Sequence, residues 1–178
     1  MPVREALRML ELEGLTETIV NKGARVSLLD AHEVDVLYQM RERLEPLALA
    51  ESMPNLTPDQ HQELSAVQQR IERNTDIAEF LDLDRQFHLL SYSGCRIDQL
   101  NASVTRLWNS TQHYRRAFMQ FSGPSRRWVV NAEHSLILDA VLRQDSIDAE
   151  RYLLSHIRRT RVELSHHPES FQVRDSRS

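Results

Sequence analysis

The stretch Asp76-Ile-Ala-Glu-Phe-Leu-Asp-Leu-Asp-Arg-Gln-Phe-His88 decides how this chain is read. Asp76 with Glu79 three residues on is a helix-start signature. Behind it, Ile77, Phe80, Leu81, Asp84 and the pair Phe87-His88 share one broad face at helical spacing. That face is apolar enough to be buried, yet it carries a carboxylate and an imidazole. Four residues apart, their side chains project to the same spot. Burying either one is costly unless it finds a partner, so the pair needs a reason.

Outward from this helix the pattern stays helical. Asp30 with Glu33 opens a helix to about Met53, ended by Pro54. Thr57, Pro58 and Gln60 supply the cap, the first-turn proline and the N3 glutamine of the next. Gly94 stops the helix that Asp76 opens. A fourth runs from about Ile97 to Phe121 and closes on Ser122-Gly123-Pro124; Ser125 caps a fifth and Asp145 a sixth. Residues before Asp30 differ. Pro2 to Glu13 reads as a short helix stopped by Gly14. Thr16 to Val20 and Ala24 to Val26 read as two short strands around Asn21-Lys22-Gly23. The expected fold is all-α: a bundle of about six helices over 29–167, preceded by a short helix and hairpin in 1–28 and followed by a polar, frayed tail in 168–178.

Composition narrows the function. The chain has 178 residues, a length for one domain with at most a small appendage. One cysteine excludes a disulfide framework or Cys-rich zinc module. Four glycines argue against a Gly-rich nucleotide loop. A net charge of −4 excludes a generally basic coat for nucleic acid, and Lys22 is the only lysine. No apolar run approaches the roughly 20 residues of a membrane span. The charged start, Met-Pro-Val-Arg-Glu, does not read as a signal peptide. No membrane association and a cytoplasmic location are expected.

The eight histidines divide by position. In the fifth helix Val130, His134, Ile137, Leu138 and Val141 form the apolar stripe. In the sixth it is Ala149, Tyr152, Leu153, His156 and Ile157. Three helices therefore place Asp84, His88, His134 and His156 on inward faces. One carboxylate and three neutral imidazoles suit a mononuclear divalent metal such as Zn, Ni, Mn or Fe, and the sequence does not choose among them. The other reading makes them separate core histidines, each bonded to a carbonyl or carboxylate. His32, His61, His113, His166 and His167 fall off the stripes or in the tail and are expected in solvent.

Arg41 lies on the apolar stripe Val34, Leu37, Leu44 and Ala48. A buried guanidinium needs an anion. Either Glu45 at i+4 supplies it, or the carboxylate of a bound small molecule does. On the fourth helix Arg106, Trp108, Asn109, Thr111, Tyr114 and Arg115 interleave polar and aromatic groups, which fits a pocket wall or a helix between core and solvent. An enzyme reading lacks a second acid–base pair: Glu133, the one extra carboxylate beside a ligand, points about 100° round the helix from His134. A helical dimerisation module with structural histidines is the third reading.

These residues also resemble a known family. Pro2-Val-Arg-Glu-Ala-Leu-Arg-Met-Leu-Glu-Leu-Glu-Gly-Leu15 and Lys22-Gly-Ala-Arg-Val26 look like the recognition helix and wing of a GntR-type winged helix. Arg41-Glu-Arg-Leu-Glu-Pro-Leu-Ala48, Asp84-Arg-Gln-Phe-His88, Ser93-Gly94, Glu133-His134 and Ser155-His-Ile157 resemble the FadR-type C-terminal (FCD) effector domain. Cys95 stands where that family commonly has Asn. The resemblance implies a ligand-responsive transcriptional regulator and not an enzyme. Its metal would sit on Asp84, His88, His134 and His156. A small organic acid would bind beside the metal, with Arg41 as its anion-binding residue; from the polar and aromatic wall of the fourth helix, Arg106 and Asn109 are further effector-binding candidates. Operator DNA would meet Arg4, Lys22 and Gly23, and the protein would act as a homodimer. By the same resemblance the chain begins inside the recognition helix. Residues 1–27 carry four cations and four anions, so weak operator binding is expected of this chain.

Overall fold

The computed structural model describes residues 2–12, 16–19, 23–26, 29–123 and 126–171. Helix α1 (Pro2–Leu12) precedes an antiparallel hairpin of β1 (Thr16–Ile19) and β2 (Gly23–Val26), with Thr16 opposite Val26 and Ile19 opposite Gly23. Gly23 opens β2 at φ +86°, a conformation side chains with a Cβ rarely adopt. The hairpin is tied to α1: the Thr18 N–H donates to the Glu11 carboxylate at 3.1 Å, and the Thr16 hydroxyl reaches the Leu7 carbonyl at 3.4 Å. The expected helix stop at Gly14, hairpin tip at Lys22 and cap at Ser125 lie outside the described residues.

From Asp30 onward the six expected helices are present: α2 (Ala31–Ser52), α3 (Pro58–Arg73), α4 (Ile77–Ser91), α5 (Asp98–Ser122), α6 (Arg127–Leu142) and α7 (Ser146–Ser165). Asp30/Glu33 and Thr57/Gln60 form complete capping boxes, each satisfying two otherwise unpaired N–H groups. Asp76 caps α4 by accepting from Glu79 N, while the Glu79 carboxylate turns to the Asn74 amide instead. Asp145 caps α7 through Asp148 N. Beyond α4, Gly94 lets two segments touch: its N–H donates to Ser52 Oγ at 2.8 Å, and a Cβ there would collide with the Ser52 carbonyl oxygen.

Helix α7 lies against α2, α5 and α6, and α3 packs on α4 and α6. Trp108, Tyr38, Phe80, Phe87, Leu49 and Leu153 fill the space between them. Cys95 is buried as a small filler. Fraying is expected from Pro168, but residues 168–171 are ordered. Pro168–Ser170 makes one 3₁₀ turn, and the Phe171 ring lies 5.6 Å from that of Tyr114 because an apolar ring gains by covering another. The Tyr114 hydroxyl in turn donates to the Leu29 carbonyl and accepts from the Leu29 N–H, fastening the segment just before α2. Among the described residues no helix is long and apolar enough to cross a membrane.

Candidate metal centre

The amphipathic faces of α4, α6 and α7 meet at one point. Packing their apolar stripes together necessarily gathers the polar residues those stripes contain. Asp84, His88, His134 and His156 are all buried, and one nitrogen of each imidazole and a carboxylate oxygen of Asp84 lie within 4.8 Å of one another. His134 Nε2 and His88 Nε2 stand 3.4 and 3.8 Å from Asp84 Oδ1. The three imidazole centroids are 4.9–5.2 Å apart, and Phe87 stacks on His134 at 4.8 Å.

Burial holds all three histidines neutral. It pushes His88 and His156 well below their ordinary value, helped by the neighbouring imidazoles, and takes His134 down to about 3, helped by the Arg115 charge. Neutral imidazole is the form that binds metal. Among the described residues, Asp84 Oδ1, His88 Nε2 and both nitrogens of His134 have no hydrogen-bond partner, although buried polar atoms almost always find one. Nitrogen and oxygen atoms gathered in one buried place without hydrogen-bond partners fit a cation. The donor set of three nitrogens and one oxygen fits a divalent transition metal.

A second layer surrounds the cluster. Arg41 is buried with its Nε on Glu45 Oε1 and its Nη1 on Thr111 Oγ1 at 3.0 Å. Burial opposes that charge, and Glu45 together with Tyr38 and Tyr92 more than offsets it, holding the guanidinium above its ordinary value. Of the two partners open to Arg41, the structure supplies Glu45. Glu45 also accepts from Tyr92 Oη at 2.8 Å and Trp108 Nε1 at 3.0 Å, and Tyr92 Oη lies 3.2 Å from His88 Nδ1. Arg115 pairs with Asp84 Oδ2 and, like Arg41, lies over the Trp108 ring. Burial, with the Arg41 charge nearby, lowers Arg115 to about 10. Glu133 Oε2 lies 3.1 Å from His156 Nδ1, and Arg159 holds the same carboxylate. A cavity of about 10 Å³, room for one water, touches Asp84, Arg115, His156 and Thr160.

Arg106 is exposed on the outer side of α5, in a surface groove with Asn109, and neither joins the cluster. Asn109 Oδ1 accepts from Arg85 Nη2 at 2.7 Å. Arg4 is exposed on α1 and Gly23 on the hairpin; Lys22 lies outside the described residues. His32, His113 and His166 are exposed as expected. His61 and His167 are not fully solvated: His61 Nε2 is buried without a partner, and His167 stacks on Phe121 at 4.0 Å while holding Glu169 at 2.9 Å. The last contact arises because the tail turns back at Pro168. Sequence reasoning missed Tyr92, Glu133 as a partner of His156, and Arg115 as a partner of Asp84. A pairing signal was present only for Glu133, as a carboxylate adjacent to a candidate ligand.

Comparison with known proteins agrees with this architecture. The FCD domain matches residues 36–159 of the chain. An uncharacterised HTH-type transcriptional regulator of Bacillus subtilis, YdhC, is 25% identical over 169 residues, covering 93% of this chain and 75% of its own length. A solved GntR-family transcriptional regulator from Pseudomonas syringae is 27% identical with a TM-score of 0.70, over 96% of this chain and 71% of that one. E. coli McbR/YncC shares the fold at a TM-score of 0.80 and 21% identity, over 92% and 84% of the two chains. The chain belongs to the FCD domain family of GntR-type transcriptional regulators, a family of regulators rather than of enzymes.

Proposed function

We propose that the chain is a metal-containing sensor that couples a small carboxylate effector to operator binding. Asp84, His88, His134 and His156 would hold one divalent ion. That ion would supply a Lewis-acidic charge for the effector's carboxylate. The observation that carries this reading is the convergence of four buried donor residues, three of which, Asp84, His88 and His134, turn atoms into the cluster that have no hydrogen-bond partner among the described residues. Arg41 and Arg115 place two guanidinium groups over one Trp108 ring beside the cluster. Only Arg115 is shared with a cluster residue, because Arg41 is held by Glu45. An anion entering there would meet Arg115 first, with Arg41 behind it, and would require the small cavity to widen.

In this reading residues 29–167 are the sensing domain, 1–28 belong to the winged helix, and 168–178 form the tail. Arg4, Lys22 and Gly23 would face operator DNA, and the regulator would act as a cytoplasmic homodimer. Arg106 and Asn109 sit on an outer groove and support an effector role less well than Arg115 does. The effector would act by binding one arrangement of the two reading heads better than another. A melting assay over a panel of divalent metals, then metals with small mono-, di- and tricarboxylates, tests the proposal. A ligand of the native state raises the melting temperature by mass action. No shift with any metal would remove the metal, and no further shift with any acid would remove the effector.

A further inference from the structure

The two hydrogen bonds on the outer edges of His88 and His156 determine where their protons lie. The Glu45 carboxylate can only accept, and Arg41, Trp108 and Tyr92 all donate to it. The one proton of the Tyr92 hydroxyl therefore points to Glu45 Oε2, 2.8 Å away. The Tyr92 oxygen can then only accept from His88 Nδ1, at 3.2 Å. On the other side, Glu133 is a carboxylate held by Arg159, and it can only accept from His156 Nδ1 at 3.1 Å.

We infer that Tyr92 and Glu133 are positioning residues that fix His88 and His156 as Nδ1–H tautomers, leaving Nε2 of each ring bare, with that of His88 facing Asp84 Oδ1 at 3.8 Å. The assignment follows from hydrogen bonds alone, while its use in holding a metal rests on the function proposed above. Outer partners of this kind set ring orientation and ligand basicity in metal sites. Among the described residues His134 has no such partner on either nitrogen, and its ring stacks on Phe87 instead. The Arg41…Glu45 pair thereby becomes the far end of a relay, Glu45 to Tyr92 to His88, rather than a grip for a ligand.

The test is a long-range ¹H–¹⁵N imidazole spectrum of the chelator-stripped full chain, assigned with His88→Gln and His156→Gln. Wild type should show both residues as single Nδ1–H tautomers. Tyr92→Phe should shift only His88 toward the Nε2–H form, and Glu133→Leu only His156. Glu133→Gln, whose amide oxygen still accepts, should restore the wild-type pattern at His156. Zinc affinity should fall about 10- to 100-fold in Tyr92→Phe and Glu133→Leu. An Nε2–H tautomer at His88 in wild type, or a Tyr92→Phe spectrum identical to wild type, overturns the inference. Correct tautomers in a protein that binds no metal would sink the metal reading and leave the assignment standing. Stoichiometric metal with His88 in the Nε2–H form would do the reverse.

Discussion

Arg115 on α5 and Asp84 on α4 form a buried ion pair, and the same Asp84 faces the imidazoles of His88 and His134 with its other oxygen. One carboxylate thus joins the metal cluster to the cation next to it. Removing one partner of a buried pair strands the other, at a cost of about 3–5 kcal/mol. Arg115→Met should destabilise the metal-free protein by about that amount. Zinc should recover part of the loss, because the ion gives Asp84 a second partner. Denaturant melts with and without zinc measure both effects; equal losses in the two states would mean that Asp84 does not meet the metal.

Acid should unfold the chelator-stripped protein early. The three cluster histidines titrate near 6.5 when unfolded and far lower when folded, with His134 at about 3. Below about pH 6.5 the unfolded chain takes up protons that the folded chain refuses. Stability is therefore complete above that pH and falls as pH drops toward 3. The slope is at most about 1.4 kcal/mol per pH unit for each histidine. Melts between pH 8 and pH 4 check the sign; stability flat from pH 7 to pH 5 would contradict neutral buried histidines.

Tyr114 clamps Leu29 through both its N–H and its carbonyl. Tyr114→Phe should lower overall stability by about 1–3 kcal/mol, the net value of two such bonds. It should speed hydrogen exchange at the Leu29 amide much more, because that local clamp is removed outright. Amide exchange by mass spectrometry or NMR reads this directly, and unchanged exchange at Leu29 would show that the segment is held by other contacts.

Gly94→Ala places a Cβ against the Ser52 carbonyl and hydroxyl. Backbone has to move, and overpacking of this kind costs about 1–3 kcal/mol. The urea midpoint should fall accordingly; an unchanged midpoint would mean that the turn after α4 shifts freely.

How much of this was legible in the sequence depends on how far each signal reaches along the chain. The capping boxes at Asp30/Glu33 and Thr57/Gln60 involve residues three apart, and the structure contains both. Helical spacing put Asp84, His88, His134 and His156 on apolar faces, and apolar faces meet in the core. Arg41 and Glu45 were legible as an i,i+4 pair. The outer layer was not, because its contacts cross between helices: Tyr92 reaches Glu45 over 47 residues of chain, and Glu133 reaches His156 over 23. Glu133 is instructive. Its turn of about 100° away from His134 is what brings it to α7. Arg106 and Arg115 read alike on a helix at the edge of the core, and only packing separates the exposed one from the buried one.

Metal stoichiometry of the purified full chain, read by elemental analysis after dialysis against zinc, nickel or manganese and removal of free ion, tests the central claim most directly. The account predicts about one divalent ion per chain for wild type and a large loss for His134→Ala, with circular dichroism showing the helices intact. A folded wild-type chain that retains none of these ions, or a His134→Ala chain that binds as much as wild type, would contradict it.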